Sequence, residues 1–132
     1  SSRVVLSVIV VAMEIFKDFT FESAHRLPNL PSTHKCSRLH GHTFQVRLYV
    51  KGQVTGEQGW LMDFADIESV FAPVLDQIDH RYLNEVEGLS NPTSEVIAIW
   101  IWDRLVSKLP GLSRVQVMEN CTSGCEFTGH AS

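Results

Sequence analysis

The residues of this chain best suited to metal chemistry are two histidines separated by one glycine, with a cysteine four residues before the first of them. They lie in the stretch Cys-Ser-Arg-Leu-His-Gly-His, residues 36–42. If this stretch is extended, the side chains of His40 and His42 point to the same face, so both imidazoles can bind one ion. A third imidazole, His25, lies upstream. Three neutral imidazoles with one open position are the ligands of a catalytic zinc, so these three histidines are the predicted metal ligands.

Two other ligand sets remain open at this point. His34 could replace one of the three histidines, or Cys36 could be the fourth ligand of a closed structural zinc site. In the catalytic interpretation Cys36 is instead a base, because a neighbouring metal, Lys35 and Arg38 would all favour its thiolate.

Two further groups could carry out proton transfer or ligand binding. Asp79 and His80 are adjacent, and a carboxylate beside an imidazole can orient it for proton transfer. Neighbours on one strand face opposite ways, so this pairing requires a loop. Glu119 ends the strand-like run Val-Gln-Val-Met-Glu. A carboxylate on an apolar strand is costly if buried alone, so Glu119 is either exposed or bound, for example to the paired N–H donors of a guanidine-like heterocycle.

The charge distribution points to an anionic substrate. The chain of 132 residues has a formal net charge of −4, which gives no general attraction to nucleic acid or to anionic membranes. Residues 23–47 nevertheless contain four histidines, no acidic residue and four basic residues, namely Arg26, Lys35, Arg38 and Arg47. A locally positive segment around a metal site favours a negatively charged ligand.

Length and composition indicate one globular domain with an ordinary core, since 44% of the residues are hydrophobic and 20% are charged. The cysteine count of three is odd, which predicts free thiols in a reducing compartment, here the cytoplasm. Residues 1–12 are apolar but too few to span a bilayer as a helix. We interpret them as a vector-derived or misassigned leader, able to pair as an extra edge strand, before a single domain over 13–132.

Apolar periodicity predicts strands over 14–22, 40–51, 113–119 and 125–128. Two helices are predicted between the second and third strands, with Asp63 and Thr93 as their N-caps and a kink at Pro73. The order strand, strand, helix, helix, strand, strand indicates an α+β fold with an antiparallel sheet.

Five motifs in order along the chain resemble those of the 6-pyruvoyltetrahydropterin synthase family, over about Met13 to Gly129. They are Phe-x-x-x-His-Arg-Leu, Cys-x-x-x-His-Gly-His, Asp-His, Asn-Pro-Thr-Ser-Glu and the late-strand glutamate. The three-residue gap between Cys36 and His40 is similar to that of the bacterial branch, which makes 6-carboxy-5,6,7,8-tetrahydropterin for queuosine biosynthesis. The pyruvoyl-forming branch typically has a longer gap.

The resemblance implies a role for each candidate residue. The implied zinc ligands are His25, His40 and His42. The implied general base is Cys36, with Asp79 and His80 as its proton-relay partners. The implied substrate-binding residues are Glu119, which would anchor the pterin ring, and Thr93, Ser94 and Glu95.

The resemblance also implies a fold, an assembly and a reaction. The fold is a T-fold, an antiparallel sheet with two helices packed on one face. Sheets join into a barrel in the oligomer, usually a homohexamer, with the sites at subunit interfaces. The implied cofactor is Zn²⁺, and the implied reaction converts 7,8-dihydroneopterin triphosphate to 6-carboxytetrahydropterin, acetaldehyde and triphosphate. The pyruvoyl-forming synthase and a non-catalytic domain with a structural zinc stay open as alternatives.

Overall fold

The computed structural model describes residues 11–54, 57 and 59–131. In that part of the chain, four strands form one antiparallel sheet in the order β1-β2-β3-β4. The strands are β1 Val11–His25, β2 His40–Val54, β3 Leu112–Asn120 and β4 Ser123–Phe127. The helices α1 Phe64–Asp76 and α2 Ser94–Leu105 lie between β2 and β3, and short 3₁₀ turns cover Lys35–Ser37 and Leu83–Glu85. This is the predicted α+β architecture.

Strand register decides which side chains share the buried face. Phe21 on β1 lies opposite Phe44 on β2, and both rings are buried and stacked with centroids 4.7 Å apart. Because side chains alternate along a strand, every second residue from these two points toward the same side. That face carries the core and packs against the helices, so we call it the helix face. The opposite side of the sheet is called the outer face below.

Both helices begin at the predicted caps. The Asp63 carboxylate accepts the Ala65 N–H at 2.9 Å, and the Thr93 hydroxyl accepts the Val96 N–H at 3.1 Å. These bonds satisfy N–H groups that a helix start leaves unpaired. Helix α1 is one continuous helix that includes Pro73. The predicted apolar stripes are buried at their central positions, for example Ile67 and Phe71 on α1.

Strand β1 begins at Val11, three residues before the predicted start at Glu14. The last two residues of the segment interpreted as a leader are therefore part of β1 and pair with β2. Val11 lies opposite Val54, and Ala12 lies opposite Gln53. The rest of that interpretation concerns residues 1–10, which lie outside the described residues.

The outer face is polar and crossed by ion pairs. The Arg47 guanidinium lies 4.0 Å from the centre of the Phe16 ring and binds the Asp18 carboxylate through two nitrogens. The Arg114 guanidinium stacks 3.8 Å from the Tyr49 ring centre. Side chains on this face are thus held by contacts between neighbouring strands.

Two of the three tryptophans stand on α2. The Trp100 indole N–H donates to the Glu87 carbonyl at 2.9 Å, and Trp102 packs edge-on against Phe127 of β4. Both are buried, whereas Trp60, before α1, is 48% exposed. No helix in the described part of the chain is long and apolar enough to cross a membrane. The three cysteines are free thiols.

Candidate active site

Three imidazoles converge at one end of the helix face, where β1 ends and β2 begins. His25 pairs with His40 across the two strands, and His42 follows on the same face. One nitrogen from each ring lies within 4.8 Å of the other two, and His25 is fully buried. Among the described residues this is the one group of histidine, cysteine or carboxylate side chains with such convergence. The glycine between His40 and His42 places both on the same face, as predicted.

Hydrogen bonds fix which nitrogen two of the three rings, His25 and His40, can offer to a metal. His25 Nδ1 lies 2.8 Å from the Pro92 carbonyl, and His40 Nδ1 lies 2.7 Å from the Arg38 carbonyl. A carbonyl can only accept, so both Nδ1 atoms donate, and in the neutral ring the lone pair then lies on Nε2. His25 Nε2 is buried without a hydrogen-bond partner. An orphaned buried nitrogen facing two other imidazoles fits a metal ion of the zinc type.

Burial also favours the metal-binding form of these rings. Desolvation lowers the pKa of His25 and of His42 from the usual imidazole value, because charging a ring out of water is unfavourable. The nearby Glu119 carboxylate acts in the opposite direction on the pKa of both. The net effect is a lowered pKa at His25 and at His42, which favours the neutral imidazole, the form that coordinates a metal.

Cys36 lies beside this cluster in sequence but is not part of it. Its N–H donates to His34 Nδ1 at 3.1 Å, and its carbonyl accepts the Leu27 N–H at 2.8 Å. The second bond ties the Lys35–Ser37 turn to the chain just beyond His25. Neither Cys36 nor His34 joins the converging nitrogens in the described part of the chain, which favours the three-histidine set over both alternatives.

A pocket of about 400 Å³ contains the other predicted binding residues, and one of them, Glu119, is close enough to His25 and His42 to affect the pKa of both. Glu119 lies at a register shift between β3 and β4, and its side chain lines this pocket together with the start of α2, which places it on the helix face. The pocket is lined by Leu27, Thr93, Ser94, Glu95, Glu119, Ser123, Gly124 and Cys125. The start of α2 and the β3–β4 hairpin therefore form its walls, and the Pro92 carbonyl links the same segment to His25.

Cys125 was not predicted as a site residue. It lies opposite Val117 in the β3–β4 register, which turns its side chain toward the helix face. Burial raises the pKa of its thiol, and the carboxylates of Glu95 and Glu119 raise it further. One sequence signal could have identified Cys125 as a site residue. It lies on the predicted strand that follows the strand carrying Glu119, and neighbouring strands of an antiparallel sheet commonly pair.

The structure does not bring Asp79 and His80 to the imidazoles within one chain. His80 Nδ1 lies 2.9 Å from the Asp79 carboxylate, as predicted for a pair on a loop. The pair lies beside Glu22 at the edge of β1, and the Glu22 side chain lies on the outer face, opposite to that of His25. Asp79 and His80 therefore lie on the other side of the sheet from the three imidazoles.

A family model described as 6-pyruvoyl tetrahydropterin synthase matches residues 14–130. The chain belongs to this family. Its members' T-fold is the architecture described above: the Caenorhabditis elegans 6-pyruvoyl tetrahydropterin synthase structure superposes with a TM-score of 0.77 at 27% identity, covering 93% of this chain and 98% of that one. The family and the fold inferred from the sequence motifs are thereby confirmed.

Curated relatives in this family carry more than one activity. The chain is 44% identical over 119 residues to a 6-carboxy-5,6,7,8-tetrahydropterin synthase of Synechocystis sp., covering 86% of this chain and 91% of the relative. It is 36% identical over 111 residues to a dihydroneopterin monophosphate aldolase of Pyrococcus furiosus, covering 82% and 90%. Both names describe enzymes of pterin chemistry.

Proposed function

We propose that this chain is a cytoplasmic, zinc-dependent carbon–carbon lyase that converts 7,8-dihydroneopterin triphosphate and one water to 6-carboxy-5,6,7,8-tetrahydropterin, acetaldehyde and triphosphate for queuosine biosynthesis. The observation that carries this proposal is the cluster His25, His40 and His42 beside a pocket holding the Glu119 carboxylate. The 44% identity to a 6-carboxy-5,6,7,8-tetrahydropterin synthase supports the choice of reaction.

Nε2 of His25, Nε2 of His40 and one ring nitrogen of His42 would hold the zinc. A bound zinc supplies Lewis-acid activation of the substrate's side-chain hydroxyls. The Pro92 and Arg38 carbonyls hold the Nδ1–H groups of His25 and His40, so Nε2 is the nitrogen that each ring presents to an ion.

Glu119 is the proposed anchor of the pterin ring. Its carboxylate makes no salt bridge with any described residue, so it is available to accept two N–H donors from the amino-pyrimidinone edge. Thr93, Ser94 and Glu95 line the opposite wall, where Leu27 adds an apolar surface for the ring. Anchoring at Glu119 would leave the substrate's side chain directed to the imidazoles.

The triphosphate is assigned to three exposed basic residues near the metal ligands. Arg26 directly follows His25, while Lys35 and Arg38 flank Cys36. None of the three forms a salt bridge with a described residue, so their charges are available to a polyanion. Arg47, the fourth basic residue of this segment, is engaged by Asp18 on the outer face and is excluded.

Proton transfer is assigned to Cys36 and to the Asp79–His80 pair. Cys36 takes the carbon-bound proton next to the ring, and His80, oriented by Asp79, moves protons to the side chain. Because the pair lies on the outer side of β1, we propose that Cys36 and His80 in one site come from two subunits of a homohexamer.

A second candidate function rests on the Pyrococcus furiosus relative named as a dihydroneopterin monophosphate aldolase. Both reactions break a carbon–carbon bond in the substrate's side chain, so the same metal cluster and ring anchor would serve either. The number of phosphates differs. The three unpaired basic residues near the metal ligands favour the triphosphate.

Product analysis tests the proposal. Zinc-loaded protein is incubated with 7,8-dihydroneopterin triphosphate or with the monophosphate, and pterins and aldehydes are identified by mass spectrometry. We expect carboxytetrahydropterin and acetaldehyde from the triphosphate. A pyruvoyl product would reassign the chain to the pyruvoyl-forming synthase, and turnover of the monophosphate alone would reassign it to the aldolase.

A Cys36→Ala variant separates catalysis from a structural zinc site. We expect turnover to fall by about 100-fold or more, as for loss of a general base, with full zinc content retained. Loss of bound zinc with unfolding would instead make Cys36 a structural ligand.

A further inference from the structure

Glu22 makes backbone contacts with both members of the Asp79–His80 pair. The His80 N–H donates to the Glu22 carbonyl at 2.6 Å, and the Glu22 N–H donates to the Asp79 carboxylate at 3.0 Å. The segment containing the pair thus continues the sheet beyond the edge of β1, as the parallel bridge from Ala24 to Tyr82 also indicates. The pair is fixed relative to one residue of β1, and that residue is an acid.

The Glu22 side chain approaches the imidazole from the side that Asp79 leaves free. His80 Nδ1 is taken by Asp79 at 2.9 Å, whereas Nε2 lies 3.9 Å from a Glu22 carboxylate oxygen. In the described part of the chain these are the two carboxylates within 4.0 Å of the ring. The neighbouring Arg81 points away, with its guanidinium on the Asp76 carbonyl.

Two features show that this arrangement is held in place. The Thr43 hydroxyl, on the paired position of β2, donates to the other Glu22 oxygen at 3.2 Å. His80 has a φ of 55°, in the left-handed region that a residue with a Cβ rarely adopts. Its backbone is kept there by the Glu22 carbonyl, so the ring projects outward with 75% of its side chain exposed. Strained backbones of this kind concentrate at functional positions.

We infer that Glu22 is a positioning residue for proton transfer by His80: its carboxylate, held by Thr43, orients the imidazole from the Nε2 side. This inference rests on the proposed role of His80 in the reaction. Asp79 can hold one nitrogen only, and the second carboxylate supplies attraction at the nitrogen that exchanges the proton.

A double-mutant cycle tests it. Glu22→Gln keeps the size of the side chain and both backbone bonds, and Asp18→Asn removes one charge from the same face of the same strand as a matched control. We expect Glu22→Gln to lower kcat about three- to fivefold with KM within about twofold, the range of one exposed charge pair. Asp18→Asn should stay close to wild type. In a His80→Ala background, Glu22→Gln should have no further effect, because it acts through the imidazole.

Two outcomes would overturn the inference. One is a Glu22→Gln turnover equal to that of Asp18→Asn. The other is a Glu22→Gln loss that persists in full without His80, which would make Glu22 a direct substrate contact or a purely structural residue. A Glu22→Asp variant should recover part of kcat, because it restores the charge at a longer distance.

A second readout does not depend on turnover. Diethylpyrocarbonate modifies neutral imidazoles, and peptide mass spectrometry follows His80 with the exposed His34 as internal reference. We expect His80 to react about two- to fivefold faster in Glu22→Gln than in wild type or Asp18→Asn, because the carboxylate that faces Nε2, the nitrogen left free by Asp79, is gone. Unchanged His80 reactivity would reject the contact even if the chain converts no pterin. Absence of wild-type turnover alone would reject only the proposed reaction.

Discussion

Each histidine in the metal cluster is held by a different segment of the chain. His25 is tied to the residue before the N-cap of α2 through the Pro92 carbonyl, and His40 is tied to its own loop through Arg38. His42 is fixed by strand pairing with Ser23. Displacing any of these segments would therefore move a ligand nitrogen, and metal affinity should respond to changes outside the ligands themselves.

Removing one imidazole should abolish metal binding. His40→Ala leaves two nitrogens on the ion, and we expect zinc affinity to fall by more than about 100-fold, with loss of turnover. His34→Ala removes an imidazole from the same loop and should retain the metal. Equilibrium dialysis with elemental analysis measures both, and full zinc occupancy in His40→Ala would contradict the ligand assignment.

The thiol of Cys125 should react slowly with alkylating reagents, and removal of a neighbouring carboxylate should speed the reaction. Burial and two carboxylates raise the pKa of this thiol, so little of the reactive thiolate forms near pH 7. As the pH is raised, the alkylation rate of Cys125 should go on rising after the rate of an ordinary thiol has reached its plateau. Glu95→Gln removes one of those charges and should speed the reaction at fixed pH. Per-cysteine rates with iodoacetamide measure this, with exposed Cys121 as the reference. Equal Cys125 rates in wild type and Glu95→Gln would contradict it.

At the scale of single residues, spacing could predict the ligands but not the pocket. One glycine between His40 and His42 forces a shared face on any strand, so that inference needs no tertiary structure. Cys125 belongs to the pocket because it is paired with Val117 rather than with a neighbour of Val117. A slip of one residue would reverse its side, and nothing local in the sequence sets that register.

Two glycines on strands of this sheet serve different purposes. A Cβ at Gly124 would lie 2.5 Å from the Val117 carbonyl oxygen, on the partner strand. A Cβ at Gly41 would meet nothing closer than the Ser23 carbonyl at 3.8 Å. In the β3–β4 hairpin, which forms one wall of the pocket, the two backbones therefore lie too close together at Gly124 for a side chain. At Gly41 on β2 there is space for a Cβ.

Alanine substitutions should separate these two glycines. Gly124→Ala requires β3 and β4 to move apart, and we expect the free energy of unfolding to fall by about 1–3 kcal/mol. Gly41→Ala should change it by less than about 0.5 kcal/mol, as for a position without strain. Urea unfolding followed by circular dichroism measures both. If Gly124→Ala lowers the free energy of unfolding no more than Gly41→Ala does, the hairpin accommodates the added Cβ without a loss of stability.

The elements themselves were predictable because their signals are local. Asp63 and Thr93 cap the helices through bonds to residues two and three positions on, and alternation marks the strands. Strand ends were less predictable. Strand β1 extends from Val11 to His25 because pairing with β2 continues beyond the alternating run, and such pairing depends on the partner strand.

At the scale of the whole molecule, the division of the predicted catalytic residues is the main result that the sequence could not provide. The motifs assign Cys36 and His80 to one active site without showing where either lies. In the structure, His80 and the metal cluster lie on opposite sides of the sheet. A loop pairing such as Asp79–His80 is local and was predicted. Its side of the sheet depends on where residues 78–82 join β1.

Complementation between subunits tests that division. Cys36→Ala and His80→Ala should each be nearly inactive alone. If a site takes Cys36 from one subunit and His80 from another, co-expressed variants should form about one quarter intact sites by random mixing. Turnover of the co-purified mixture measures this. A mixture as inactive as its components would place both residues of each site in one chain.

The two buried tryptophans of α2 give the protein an intrinsic optical reporter. Trp100 and Trp102 share a helix with Ser94 and Glu95, which line the pocket beside its N-cap. Indole emission overlaps the absorption of reduced pterins, so a ring bound at the start of α2 would quench both by energy transfer. The exposed Trp60 is the third tryptophan and would add background emission. In a Trp60→Phe variant, the remaining fluorescence would report on occupancy of the pocket and on the packing of α2 without any attached dye.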